Sequence, residues 1–267
     1  MNRDIVVADS VTTLTAAHGG RVVITGSHGG HIAAVYAANA CVRAIAFNDA
    51  GRGLDDAGVG GLAALDSVGI AAVAVAHTSA RIGDGGDTLA AGIVSTCNEA
   101  ALACGVRVGM TCRESAGALV HAPLPRATLE AADESRVLLV PSSVGLAAVV
   151  GCDSIGLVRE GDAGTVLVIG SHGALHGGDP RSALPVAARA AFFHDAGRGK
   201  QDAGVSRLPV LAARGIPAMA VDYRSARIGD ARSLWESGVL SVVNTTAEAR
   251  GAVPGMRVQD AAARLRA

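Results

Sequence analysis

Aromatic side chains are almost missing from this chain, with three Phe, two Tyr and one Trp among 267 residues. That scarcity argues against the stacked aromatic platforms that bind single-stranded nucleic acid. Lysine is scarcer still: Lys200 is the only one, and every other basic residue is Arg. A GC-rich genome produces that bias, so it carries no functional weight. Charged residues make up 18% and the net charge is −1, which gives no pull toward nucleic acid or an anionic membrane. The five cysteines, Cys41, Cys97, Cys104, Cys112 and Cys152, are odd in number and form no CxxC. They point to a reducing compartment with buried thiols, hence to the cytoplasm. Glycine, serine or aspartate interrupts every apolar run before 18 residues, so no membrane span is expected. After Met1-Asn2-Arg3-Asp4 only Ile5, Val6, Val7 and Ala8 follow before Asp9, too short an apolar run for a secretory leader.

Familiar fingerprints are also missing. No GxGxxG stands at the glycine-rich loops, which argues against ordinary dinucleotide binding. Lys200 is followed by Gln201, so there is no P-loop, and neither a G-x-S-x-G elbow nor HExxH occurs.

What is present is the chain repeated within itself. Gly26-Ser27-His28-Gly29 returns as Gly170-Ser171-His172-Gly173. Asn48-Asp49-Ala50-Gly51-Arg52-Gly53 returns as His194-Asp195-Ala196-Gly197-Arg198-Gly199. Ser79-Ala80-Arg81-Ile82-Gly83-Asp84 returns unchanged as Ser225-Ala226-Arg227-Ile228-Gly229-Asp230. The offset is 144 residues at the first motif and 146 at the other two. A scaffold alone would preserve mainly apolar spacing, whereas these repeats are polar.

Each half reads as alternating strand and helix. In the first half, strands are expected over 21–25, 42–47 and 71–76. Helices are expected over 32–40, from Asp55 or Asp56 through Val59, Leu62 and Leu65, and over 98–104. Strands at 166–169, 190–193 and 218–221 and a helix over 202–214 repeat the pattern. Residues 137–140 supply an additional strand. This predicts an α/β fold of two pseudo-symmetric Rossmann-like repeats with mainly parallel sheets, an internal duplication packed about a pseudo-twofold axis. The first repeat is expected over 1–115, a connector and crossover over 116–149, and the second repeat over 150–267. In such sheets the loops after the strands meet at the carboxyl edge, where ligands bind. All three motifs follow predicted strands.

Their chemistry suggests roles. Ser27 and Ser171 can donate hydrogen bonds, Ser171 as an oxyanion donor or nucleophile. His28 and His172 suit acid–base work. Asp49 and Asp195 can orient a histidine or take a proton, and Arg52 and Arg198 can clamp a carboxylate. His194, where the first half has Asn48, is a second acid–base candidate and favours the second half. Ser79, Arg81 and Asp84, with Ser225, Arg227 and Asp230, would bind an anion while the aspartate orients the arginine, or would pair locally to fix the loop. Asn98 and Asn244 also correspond; they can line the polar edge, though helix capping suits them better.

His28 and His31, or His172 and His176, could join an aspartate in a His/His/Asp metal set, but the second histidines are unequally spaced in the two halves, and no metal or other cofactor is expected. The function these residues imply is a cytoplasmic enzyme acting on a small anionic metabolite by hydrolysis of an amide, imide or lactone bond. Isomerase or lyase chemistry would use the same groups. A non-catalytic metabolite-binding protein would use the same loops. Oligomeric state is open.

Overall fold

The computed structural model describes residues 4–130 and 132–267. The leader reading, which begins at Met1, and position 131 of the expected connector fall partly outside those residues. The chain forms two α/β units, each with its own mixed, mostly parallel sheet. The first contains Met1–Arg52, Asp56–Asp133 and Arg198–Ala203. The second contains Gly53–Asp55, Glu134–Gly197 and Gly204–Ala267. Each therefore includes a short piece of the second motif or its sequel from the other half of the sequence. The stretch 116–149 is divided between them near residue 133.

The first unit runs β1 (Ile5–Ala8), β2 (Val22–His28), α1 (His31–Asn39), β3 (Ala44–Asn48), α2 (Gly61–Ser67), β4 (Ala71–Val75), α3 (Gly85–Ala91), β5 (Val94–Cys97), α4 (Glu99–Ala103) and α5 (Cys112–Leu119). Its sheet has the order β1-β2-β3-β4-β5, with β1 to β4 parallel and β5 antiparallel at the edge. The central strands are continuous Val, Ile, Ala and Phe because both faces are covered. Phe47, Ile45 and Leu65 pack in the core on one face; Ile24, Val73 and Leu119 pack on the other.

The second unit runs β6 (Arg136–Val140), β7 (Val149–Cys152), β8 (Val166–His172), β9 (Ala190–His194), α6 (Arg207–Ala213), β10 (Ala218–Val221), α7 (Ala231–Ser237), β11 (Leu240–Val243), α8 (Thr245–Glu248) and α9 (Val258–Leu265). Its order is β11-β10-β9-β8-β7-β6, with β7 to β10 parallel and both edges antiparallel. The Rossmann-like reading of both halves holds. No helix among the described residues is long and apolar enough to cross a membrane.

Four local readings change. β2 and β8 run on through the serine and histidine of the first motif rather than ending at its glycine. The helix expected from Asp55 or Asp56 starts only at Gly61. Asp55 and Asp56 both have φ of 55°, a left-handed conformation that cannot propagate a helix. The helix expected from 202 starts at Arg207 for the same reason, since Gln201 and Asp202 have φ of 56°. A helix and an antiparallel edge strand, α3 with β5 and α7 with β11, follow each third motif and were not legible as period or alternation. The halves also differ: α1 follows the first motif in the first unit, whereas residues 174–189 of the second hold only a short 3-10 turn, Pro180–Ser182.

Candidate active site

The motifs gather at the carboxyl ends of the parallel strands, as strand order requires. His28, Asn48 and Val75 share one row across β2, β3 and β4. His172, His194 and Val221 share the equivalent row across β8, β9 and β10. Gly26 allows the third-motif loop to lie directly on β2. A Cβ there would stand 2.2 Å from the Asp84 nitrogen, and the Gly83 N–H donates to the Gly26 carbonyl at 2.8 Å. Gly170 does the same for Asp230 and Gly229.

Much of the repeated polar chemistry holds these loops together. The Ser27 hydroxyl accepts from the Val11 N–H at 2.9 Å, and Ser171 accepts from Ile155 at 3.2 Å. Ser79 and Ser225 donate to the Ala76 and Asp222 carbonyls, both at 2.7 Å. Asp84 and Asp230 cap α3 and α7. Asn98 and Asn244 cap α4 and α8 and fill their remaining capacity on the backbone of neighbouring strands and helices. Capping is their role in this structure, and no donor or acceptor of either is left for a substrate.

The Asn48/His194 difference has a structural explanation. The Asn48 amide donates to the Ala80 carbonyl at 3.0 Å and accepts from the Ala50 N–H at 2.9 Å. His194 Nε2 donates to the Ala226 carbonyl at 3.1 Å and Nδ1 accepts from Ala196 at 3.0 Å. The two side chains span the same pair of backbone groups. His194 is 0% exposed, so its ring substitutes for an amide and is not placed to meet substrate. This removes the reason for favouring the second half.

His28 is held as a neutral ring: burial pushes it down to about 4, and its Nδ1 accepts from the Gly30 N–H at 3.1 Å. His172 Nδ1 is engaged alike by Ala174 at 3.3 Å.

The two aspartates of the second motif differ sharply. Asp49 is 4% exposed. Its Oδ1 accepts from the Gly51 and His77 N–H groups, both at 2.9 Å, and from His77 Nδ1 at 3.0 Å; Oδ2 accepts from Ser95 at 2.8 Å. Burial raises its carboxyl, but hydrogen bonds from His77, Gly51 and Ser95 outweigh it and hold Asp49 below the usual range. Asp195 accepts from the Gly197 N–H at 2.9 Å and the Tyr223 N–H at 3.0 Å. The residue matching His77 there is Tyr223, with no imidazole to offer. Burial, helped by the nearby Asp222 charge, prevails over the bonds from Ser241 and the backbone, and Asp195 is raised.

The Asp49–His77 pair was not legible in the motifs because His77 is not repeated. The available signal was its place, two residues beyond β4 at the carboxyl edge. Its ring is about a quarter exposed, with 24% of the side chain accessible. The Lys200 N–H donates to the His77 carbonyl at 2.8 Å, and Gly199 lies so close to that carbonyl that a Cβ would stand 2.7 Å away. Lys200 Nζ then reaches both oxygens of Asp87, at 2.9 and 3.0 Å. Arg81 pairs with Asp84 at 3.0 Å and Asp87 at 3.4 Å. This wall balances two cations against two carboxylates.

The remaining arginines are tied loosely. Arg52 and Arg198 form i,i+4 pairs with Asp56 and Asp202, at 2.8 and 2.9 Å, about half exposed. Arg227 pairs with Asp55 and lies 4.0 Å from Asp230, also about half exposed. Such pairs contribute roughly 0–1 kcal/mol, so a ligand carboxylate can displace them. Among the described residues no group of three His, Cys, Asp or Glu side chains is arranged to hold a metal ion. A cavity of about 470 Å³ lined by Ala71, Cys104, Ala118 and Arg126 lies at the amino end of β4, opposite His77. Compared with known proteins, the chain matches no family model, no curated protein and no solved structure.

Proposed function

We propose that the chain is a cytoplasmic enzyme that hydrolyses an amide, imide or lactone bond in a small anionic metabolite. His77 is its acid–base residue and Asp49 its positioning residue. The observation that carries this reading is the buried carboxylate on His77 Nδ1. An ionised carboxylate only accepts, so Nδ1 carries the proton and Nε2 is the basic atom. Nε2 takes a proton from the attacking water as its oxygen bonds to the substrate carbonyl carbon. The same proton then passes to the nitrogen or oxygen that leaves when its bond to that carbon breaks. Asp49 keeps the ring in one tautomer and stabilises its charged form. Arg52, released from Asp56, supplies a cation for the metabolite's carboxylate. The five cysteines are free thiols, in keeping with a reducing compartment.

The test is turnover of a panel of carboxylated cyclic amides, imides and lactones, followed by acid release and NMR. His77→Gln is expected to lower kcat by about 10²-fold or more. Asp49→Asn is expected to lower kcat with little change in KM. Absence of turnover across the panel by the unaltered protein, or full activity in His77→Gln, would overturn the reading.

A further inference from the structure

The second unit buries an arginine that has no counterpart in the first. Arg207 opens α6 where the first half has Gly61. The backbone is equivalent, since the Arg207 N–H donates to Gly173 at 2.8 Å as Gly61 does to Gly29 at 2.9 Å. Glycine is required at 61 because a Cβ would stand 2.5 Å from the Gly30 carbonyl oxygen, which caps α1, and 2.8 Å from the Ala34 side chain of α1. The second unit has no helix there, and the guanidinium occupies that region beneath residues 174–189.

Arg207 is 1% exposed, yet it forms no ion pair with a carboxylate among the described residues. Burial without a counter-ion lowers it to about 10, so it still carries its charge at neutral pH. Nη1 donates to the Ser182 and Ala183 carbonyls, the latter at 2.7 Å. The planar group lies over the Phe193 ring, 5.7 Å from its centre. The other edge is unfilled. Nε is buried with no hydrogen-bond partner, and Nη2 has His176 Nε2 at 3.5 Å, the outer limit of a hydrogen bond.

That Nε–Nη2 edge is the fork that holds carboxylates elsewhere in this molecule. Arg52 grips Asp56 through Nε at 2.8 Å and Nη2 at 2.9 Å. Arg224 grips Asp222 through Nε at 3.0 Å and Nη2 at 2.6 Å. His176 stands beside that fork, and the His172 ring meets the His176 ring edge-on at 5.9 Å.

We propose that Arg207 forms a binding site in the second unit for a small oxyanion, a carboxylate or phosphoryl group presenting two oxygens to Nε and Nη2, with His176 as its cover. The anion supplies the missing counter-charge and satisfies the orphaned Nε–H. His176 covers the fork and must swing aside. Gly177 and Gly178 follow it at φ of 56° and 73°, so the backbone there is free of the side-chain clash that would resist such a swing. The site lies in the unit without the Asp–His pair, and it does not depend on the activity proposed for that pair.

The experiment is a titration of labelled protein with sodium malonate and, separately, inorganic phosphate, at constant ionic strength, reading the Arg207 Nε–H and histidine ring signals by NMR. A saturable shift of the Nε–H signal is expected. In His176→Ala, which leaves the arginine in place, binding should tighten about fivefold because the closed state no longer competes. In Arg207→Gln the saturable response should vanish. A stronger response to malonate assigns the site to carboxylates, and a stronger one to phosphate assigns it to phosphoryl groups. No saturable change up to about 50 mM in either the unaltered protein or His176→Ala would overturn the proposal. So would a response that survives Arg207→Gln, which would leave Arg207 as a filler for the space of the missing helix.

Discussion

The two carboxyl edges hold the same motifs and part most clearly at one neighbour of the second-motif aspartate. Asp49 faces the His77 imidazole; Asp195 faces only the Tyr223 main chain at that position. Around them the pattern is matched almost bond for bond, down to Ser95 with Asp49 and Ser241 with Asp195. The His77 imidazole beside one carboxyl and the Asp222 charge beside the other tip the balance between burial and hydrogen bonding, so that Asp49 is lowered and Asp195 raised. Further differences lie close by. Lys200 and Asp87 of the first unit correspond by position to Leu54 and Ser233, so the second unit has no equivalent of their ion pair. Residues that repeat identically are largely those that tie the loops, and the chemistry distinguishing the units lies in residues that do not repeat.

The largest effect is expected where a repeated position looks most different and does the same work. His194→Ala removes bonds to the Ala226 carbonyl and the Ala196 N–H and leaves buried groups without partners, a loss of about 3 kcal/mol. His194→Asn restores an amide like that of Asn48 and is expected to stay within about 1 kcal/mol of the unaltered protein. Urea denaturation of the two variants measures this. Equal, large losses in both would show that the ring does something an amide cannot.

A smaller, pH-dependent contrast separates the aspartates. Asp49 is lowered on folding, so its ionisation stabilises the fold above the ordinary carboxylate pKa of about 3.9 and that contribution is lost as pH falls through the lower folded value. Asp195 is raised, so its ionisation penalises the fold as pH rises through the raised value. At pH 7, Asp49→Asn should lose about 1–3 kcal/mol, the scale of hydrogen bonds to a charged group. Asp195→Asn should be neutral or slightly stabilising. Below about pH 3, where both carboxyls are largely protonated in the unfolded chain, the contrast should shrink. Denaturation midpoints from pH 3 to pH 8 give the comparison, and parallel curves would remove the asymmetry on which the choice of unit rests.

How far the sequence carried this follows from the kind of interaction involved. Strand–helix alternation and the convergence of the motifs were legible, because β-branched runs such as Val22 to Ile24 and the loops after them repeat in order. The helix starts at 61 and 207 were not, because left-handed backbone extends past the motif glycines to Asp55, Asp56, Gln201 and Asp202, residue types that do not mark it. Nothing in the repeats marks His77, because its counterpart is Tyr223. Arg207 was invisible for a related reason: its environment depends on a helix that is absent from the second unit, and period or spacing cannot show that an element has been replaced.

The smallest effect makes the sharpest test of the comparison. Tyr223→His places an imidazole at the position matching His77, two residues beyond β10. The backbone already fits, since the Tyr223 N–H donates to Asp195 Oδ1 as the His77 N–H donates to Asp49 Oδ1. The substitution removes the Tyr223 ring from beneath the Arg224 guanidinium, 5.5 Å away, a contact that contributes about 0.5–1 kcal/mol at an exposed site. It adds a hydrogen bond to a carboxylate, which offsets that loss, so net stability should move by less than about 1 kcal/mol. The titration should move more clearly. The Asp195 carboxyl should fall toward the behaviour of Asp49, read from its side-chain carbon signal by NMR, and the new ring should carry its proton on Nδ1. If Asp195 stays raised with the imidazole in place, the difference between the units arises from burial and the Asp222 charge rather than from the missing imidazole, and His77 would lose its standing as the residue that sets the first unit apart.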